Sequence, residues 1–142
     1  MRSKLGFTLI ELMTVLSIVA ILAATATPSF SKFIKQDRIV TTANEVMSTF
    51  KVARSEAVKQ EKTVTLTANG SQWLASIDNV VFATFNNDQS GVRIVGMDTQ
   101  TITPTGESPV TNIEIADGDS QTTDRCFRVY LSGQSKIEKG SC

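Results

Sequence analysis

Gly6-Phe7-Thr8-Leu9-Ile10-Glu11 decides how the rest of this chain is read. A short basic leader with Arg2 and Lys4 precedes it, and an apolar run continues from Phe7 to Thr27. Glu11 is the single charge in that run. An acidic side chain at a bilayer centre costs about 3 kcal/mol, and less near the interface, so an acid inside an apolar span is functional by default. About 20 apolar residues, rising about 1.5 Å each, are enough to cross a membrane as a helix. The stretch reads as a membrane-length helix bearing one carboxylate that anchoring alone does not require.

Two plainer readings compete. A secretory signal peptide also has a basic start and an apolar core, and Ala24-Thr25-Ala26 imitates its small-x-small cleavage site. Its core usually runs about 7–15 residues, shorter than the stretch here, and Glu11 sits inside that stretch. An ordinary anchor fits the length but leaves Glu11 and the Gly6-Phe7 junction without a role.

The 142 residues allow one domain, with the first quarter taken by the apolar helix. Roughly 80 residues then remain for a globular head with a modest core. Fourteen basic and fourteen acidic residues balance overall. Residues 32–62 carry seven bases and four acids, and residues 63–124 carry eight acids and one base, Arg93. Residues 125–142 carry four bases and one acid. An acidic middle with a mildly basic end is not the footprint of a committed nucleic-acid binder. Cys126 and Cys142 are the two cysteines. If exported, they meet an oxidising compartment, where a bridge closing a loop of about 15 residues contributes about 3 kcal/mol in the chain-entropy model. Two free thiols are the alternative.

The N-terminal segment reads as one helix in two halves, changing character at Pro28, where a proline favours a kink. Beyond it Phe30, Phe33 and Ile34, then Ala43, Val46, Met47, Phe50, Ala53 and Ala57, recur at spacings of three and four and predict a core-facing stripe. Lys32, Lys35, Arg38, Glu45, Lys51, Arg54 and Glu56 take the other face, blurred by Ile39, Val40, Val52 and Val58. The pattern then turns to period two. Runs 63–68 and 71–77 flank Asn69-Gly70, predicting a hairpin with a type I′ turn. Further strands are expected over 80–85, 92–95, 99–103, 110–115, 126–131 and 135–138. A long helix packed on an antiparallel sheet makes an α+β arrangement.

The Gly6-Phe7 junction, with Glu11 four residues on and apolar sequence around it, resembles the processing site of type IV pilins and pseudopilins. That resemblance implies the type IV pilin fold, a long N-terminal helix packed on an antiparallel β-sheet head. It implies a prepilin leader over 1–6, a hydrophobic transmembrane and filament-core helix over 7–29, and a periplasmic head over 30–142 that includes the amphipathic half of the helix. A prepilin peptidase would cut after Gly6 and methylate the new N-terminal amine of Phe7. Cleavage would remove Arg2 and Lys4, leaving twelve bases against fourteen acids, a net charge of −2. Glu11 would neutralise that amine on a neighbouring subunit, in surroundings that punish either charge alone. Ala53-Arg54-Ser55-Glu56-Ala57-Val58, followed by a hairpin with Trp73, resembles the GspH/FimT/FimU branch of minor pilins and pseudopilins. In that branch, FimU-type proteins close the C-terminal region with a disulfide, which here would join Cys126 and Cys142.

No enzyme site emerges, since the chain has no histidine and its serines and cysteines lack a partnered base. No cofactor is implied. Zinc is not supported by two thiolates alone. Asp117-Gly118-Asp119-Ser120 has closely spaced carboxylates but not the spacing of a calcium loop, so it reads as an acidic turn. The resemblance implies a minor pilin that primes assembly of a type IV pilus and sits near its tip, supporting twitching motility, adhesion or DNA uptake. Its partners would be other minor and major pilins, the prepilin peptidase, the inner membrane and the assembly platform of a Gram-negative bacterium. The alternatives are a type II secretion pseudopilin and a DNA-capturing competence pilin. The latter resemblance fails at Gly133-Gln134-Ser135-Lys136, where both arginines of the family's Gly-Arg-x-Arg pattern are missing. Arg125, Arg128, Lys136 and Lys139 remain as a weak DNA patch, and DNA is the less favoured partner.

Overall fold

A computed structural model describes residues 7–142, apart from the side chains of residues 25–28. Gly6, Arg2 and Lys4, which belong to the expected leader, lie outside the described residues. One helix, α1, runs from Leu9 to Gln60 over 52 residues. The chain forms two compact units, Met1–Ile34 and Lys35–Cys142.

In the first unit every described side chain of the helix is exposed, including Leu9, Ile10, Leu16 and Ile21. Among the described residues α1 is the one helix long and apolar enough to cross a membrane. Its hydroxyls suit that setting. Thr14 Oγ1 donates to the Ile10 carbonyl at 2.8 Å and Ser17 Oγ to the Met13 carbonyl at 2.8 Å, so neither needs water.

The second unit contains the rest of α1 and eight strands: β1 (Val64–Asn69), β2 (Gln72–Ile77), β3 (Val80–Asn86), β4 (Arg93–Val95), β5 (Gln100–Ile102), β6 (Thr111–Ala116), β7 (Arg125–Val129) and β8 (Ser135–Lys139). They form two four-stranded sheets, ordered β3-β2-β1-β5 and β4-β6-β7-β8, rather than a single one. The division arises because β5 returns to β1 while β4 pairs with β6, and every pairing is antiparallel.

Turn chemistry sets the registers. Asn69 pairs with Gln72, so the first hairpin turns on Gly70-Ser71, one residue later than Asn69-Gly70. Only Gly70 there has positive φ, at 61°, which is the pattern of a type II′ turn with glycine first. The type I′ geometry occurs one hairpin later. Asp78 and Asn79, between paired Ile77 and Val80, have φ of 50° and 65°. Asp and Asn are the residues besides glycine that most readily accept the left-handed region.

Both sheets pack on one face of α1. Ile39, Ala43, Val46, Phe50, Ala53 and Ala57 are fully or almost fully buried, alternating four and three residues apart. They meet Val64, Leu66 and Trp73 of the first sheet and Ile113, Ile115 and Phe127 of the second in one core. Phe50 and Phe127 meet edge to face with centroids 5.8 Å apart, an arrangement worth about 0.5–1.5 kcal/mol beyond its buried area. The Trp73 indole donates to the Asp98 carbonyl at 3.0 Å, so its one polar atom is satisfied.

This stripe corrects the sequence expectation at both margins. Ile39, assigned to the polar face, is 0% exposed and begins the buried series. Phe30 and Phe33, assigned to the core, are 65% and 67% exposed, and Ile34 is 36% exposed. None of the three keeps the four-three spacing that runs from Ile39 to Ala57.

Ile39→Ala should therefore lower the unfolding free energy by about 2–5 kcal/mol, through lost transfer energy and the cavity left behind. Phe33→Ala should change it by less than about 0.5 kcal/mol, as for other exposed positions. Denaturant titration of the full chain in detergent, followed by the fluorescence of its single tryptophan, Trp73, checks both.

Candidate functional site

Helix α1 starts with a capping box. Glu11 Oε2 accepts hydrogen bonds from the Thr8 backbone N–H at 2.8 Å and from Thr8 Oγ1 at 2.9 Å. The Glu11 N–H in turn donates to Thr8 Oγ1 at 3.3 Å. Threonine at the cap and glutamate three residues on satisfy two otherwise orphaned donors, and the carboxylate sits where the helix dipole favours negative charge. Glu11 Oε1 takes no hydrogen bond among the described residues. Phe7, beside the cap, is exposed. Thr8 is the residue that the sequence reading passed over, although Thr8-x-x-Glu11 was the signal for it.

At the other end of the chain, Cys126 and Cys142 form a disulfide, and the described cysteines include no free thiol. The tail between β8 and Cys142 is strapped down as well. The Gly140 N–H donates to the Asp124 carbonyl at 2.9 Å, Ser141 Oγ to Asp124 Oδ2 at 3.3 Å, and the Cys142 N–H to Glu114 Oε2 at 3.3 Å. Arg54 secures the turns on the opposite side. Its Nε donates to the Gly106 carbonyl at 2.8 Å and its Nη2 to the Ser132 carbonyl at 3.4 Å. One guanidinium thus ties α1 to the turn after β5 and to the β7–β8 turn. Gly133 allows this approach. Its φ is +71°, and a side chain there would run into the Gly106 carbonyl and Arg54 Nε.

The four bases expected as a DNA patch do not share a face. Arg128 pairs across the ladder with Lys136, and Arg125 with Lys139. Strand alternation sends the two pairs to opposite sides of the sheet. Arg128 and Lys136 also share Glu138, at 3.4 and 2.7 Å. The Lys136 hydrogen bond holds the Glu138 carboxyl below its ordinary value of 4.5. Lys136 is correspondingly raised, chiefly by Glu138, and its ammonium also lies 5.4 Å from the Tyr130 ring centroid.

Three of the four carboxylate oxygens of the Asp117–Ser120 turn go to its own loop and to α1, while Asp117 Oδ2 is buried without a hydrogen bond among the described residues. Asp117 Oδ1 accepts from the Asp119 N–H at 2.8 Å and from Thr122 Oγ1 at 2.6 Å. Asp119 Oδ2 pairs with Lys35 at 2.6 Å. Gln36 adds a two-way link to Thr123 further along the loop, donating to its carbonyl at 2.9 Å and accepting from its N–H at 2.7 Å. Among the described residues no group of three or more acidic, cysteine or histidine side chains could hold a metal ion.

Comparison with known proteins gives this arrangement a family. The family described as Type II transport protein GspH matches residues 42–135, and the Prokaryotic N-terminal methylation motif matches residues 1–27. Two relatives from Pseudomonas aeruginosa, each named "Fimbrial protein", are 37% identical over 68 residues, covering 48% of this chain and 44% of each relative. The matched region is therefore less than half the length of those relatives. The crystal structure of the Pseudomonas aeruginosa type IV minor pilin FimU in space group P21 superposes with a TM-score of 0.66 at 16% identity, covering 75% of this chain and 92% of that one. A second FimU crystal form gives 0.59 at 17% identity, with coverages of 69% and 90%. The chain belongs to the GspH family of type IV pilin-like proteins and has the α+β pilin fold. Members of this class are structural subunits rather than enzymes.

Two outcomes follow from the C-terminal geometry. Arg54→Ala should cost about 1.5–3 kcal/mol of stability by removing charge-assisted bonds to two turns, measured by denaturant unfolding of the full chain. For Glu138 the folded pKa is depressed, so its contribution is complete above the ordinary value of 4.5 and is lost as pH falls through the lowered folded value. The melting temperature of Glu138→Gln should lie below that of the unmodified chain near neutrality and converge with it under acid.

Proposed function

We propose that this chain is a minor pilin that primes assembly of a type IV pilus and is incorporated near its tip. It would support twitching motility, adhesion or DNA uptake through the pilus. The observation that carries this reading is the 37% identity, over 68 residues, to proteins named as fimbrial. The disulfide-closed end and the pilin fold are consistent with it.

In this reading residues 1–6 are a leader, 7–29 the membrane and filament-core helix, and 30–142 the head. A prepilin peptidase cuts after Gly6 and methylates the amine of Phe7. The subunit waits in the inner membrane with its head in the periplasm until the assembly platform extracts it. Glu11 then meets the Phe7 amine of a neighbouring subunit. Its Oε1, unbonded among the described residues, is available to that cation while Oε2 stays on Thr8.

A second reading, the equivalent pseudopilin of a type II secretion system, is favoured by the description of the matching family. DNA capture has less support, because the expected bases are divided between two faces and two of them share Glu138.

Filaments sheared from the cell surface should contain this chain lacking its first six residues, by mass spectrometry. Deleting it should reduce surface pili and leave secreted proteins at their usual level. Loss of protein secretion with pili intact would replace this reading with the pseudopilin one.

A further inference from the structure

The part of α1 that carries the head is flanked by grooves of opposite charge. On one side Lys51, Arg54 and Lys59 line a cleft of about 840 Å³ together with Tyr130 and Lys136 of the β7–β8 hairpin. No carboxylate lines it. Arg54 is held by its two carbonyl partners and Lys136 by Glu138 and the Tyr130 ring, so half of the positive charge is fixed in place. Lys59 has a loose partner in Glu56 at 3.4 Å, and Lys51 makes no ion pair among the described residues. On the other side Glu45 and Thr49 line a cleft of about 310 Å³ with Asn86 and Asp88. No base lines that one, and neither Glu45 nor Asp88 has an ion-pair partner among the described residues. At 3.6 residues per turn, Arg54 stands about 180° around the helix from Glu45 and about 13 Å further along it.

We propose that the Lys51–Lys59 cleft docks the carboxylate-bearing helix flank of a neighbouring pilin head, and that the Glu45–Asp88 cleft receives the basic flank of the neighbour on the other side. This rests on the filament-subunit reading above and names the surfaces that reading requires. A closed two-fold dimer needs one self-complementary patch. Complementary patches on different sides of a subunit give head-to-tail contacts, which build a ring where the rotation closes and a helical filament where it does not. The charges are solvent-exposed, so they select the neighbour and its register more than they add affinity. The apolar first half of α1 supplies the affinity.

A polyanion such as DNA also matches the sign of the larger cleft. It leaves the acidic cleft without a purpose and would have to lie near Glu56 and Glu138, which already partner two of the cations. A pilin neighbour accounts for both clefts together.

Zero-length carbodiimide coupling joins lysines only to carboxylates in direct contact, and it can be applied to sheared filaments containing the full chain. Mass spectrometry should find Lys51 or Lys59 linked to an aspartate or glutamate on another pilin head. Lys59 links should fall several-fold in K51E, and Asp88 links likewise in E45K, because each reversal repels the docked flank while leaving the reacting group in place. Trp73 fluorescence of each variant shows that the head still folds. The chain present in filaments with no such links, or with links indifferent to charge reversal, overturns the docking surface and leaves the subunit reading intact. Lysines shielded by bound DNA and exposed by nuclease also overturn it. Absence of the chain from filaments overturns the subunit reading itself.

Discussion

Both sheets of the head depend on one helix face, the stripe from Ile39 to Ala57. Its composition is uneven for a physical reason. Small Ala43, Ala53 and Ala57 and bulky Ile39, Val46 and Phe50 are buried alike in one core, so each has to match in volume what it meets there. Interiors are packed to crystal density, so a methylene added at an alanine or removed at a large residue is felt by both sheets. The four-three spacing keeps the stripe on one side for about five turns. Everything polar about the head is arranged around that buried seam.

The helix is then fixed to the head at two levels by hydrogen bonds that apolar packing cannot supply. Near Lys35 the contacts are an exposed ion pair to Asp119 and the paired Gln36–Thr123 bonds. Near Arg54 the contact is a single guanidinium shared between two turns. Exposed ion pairs contribute little, so the neutral Gln36 pair and the part-buried Arg54 carry more of the positioning. The Cys126–Cys142 bridge closes the remaining edge by holding the chain after β8 against β7. The same side chain ties α1 to the β7–β8 turn, the two walls of the cleft beside it.

Much of this was legible in the amino-acid order. Each expected strand lies within two residues of an observed one, because period-two alternation and turn residues are local signals. The misses are also physical. The first hairpin turned on Gly70-Ser71 because a type II′ turn needs glycine first, whereas Asn-Gly suggested the other register. The Asp78-Asn79 turn carries its own local signal, two residues that accept the left-handed region. The split into two sheets depends on β5 reaching back to β1, a long-range pairing that no local pattern announces. Arg54 was legible as part of a family-like segment but not as a clamp, since its partners lie 52 and 78 residues away. The scattering of the four C-terminal bases could have been read from strand alternation once their registers were known.

Glu11 is an acid in an apolar span, but it is not a bare one. Two hydrogen bonds from Thr8 and the helix dipole already stabilise the carboxylate, so burial does not by itself force it to find a cation. What the capping box adds is orientation. A carboxylate fixed through one oxygen loses little further side-chain freedom when the other meets an amine, and pre-organisation of this kind lowers the cost of association. On the proposal that Glu11 docks a neighbour's amine, threonine at the cap bears on assembly as well as on helix initiation. In the proposed reading, a subunit without Thr8 keeps its charge complement but must order Glu11 at the moment of docking.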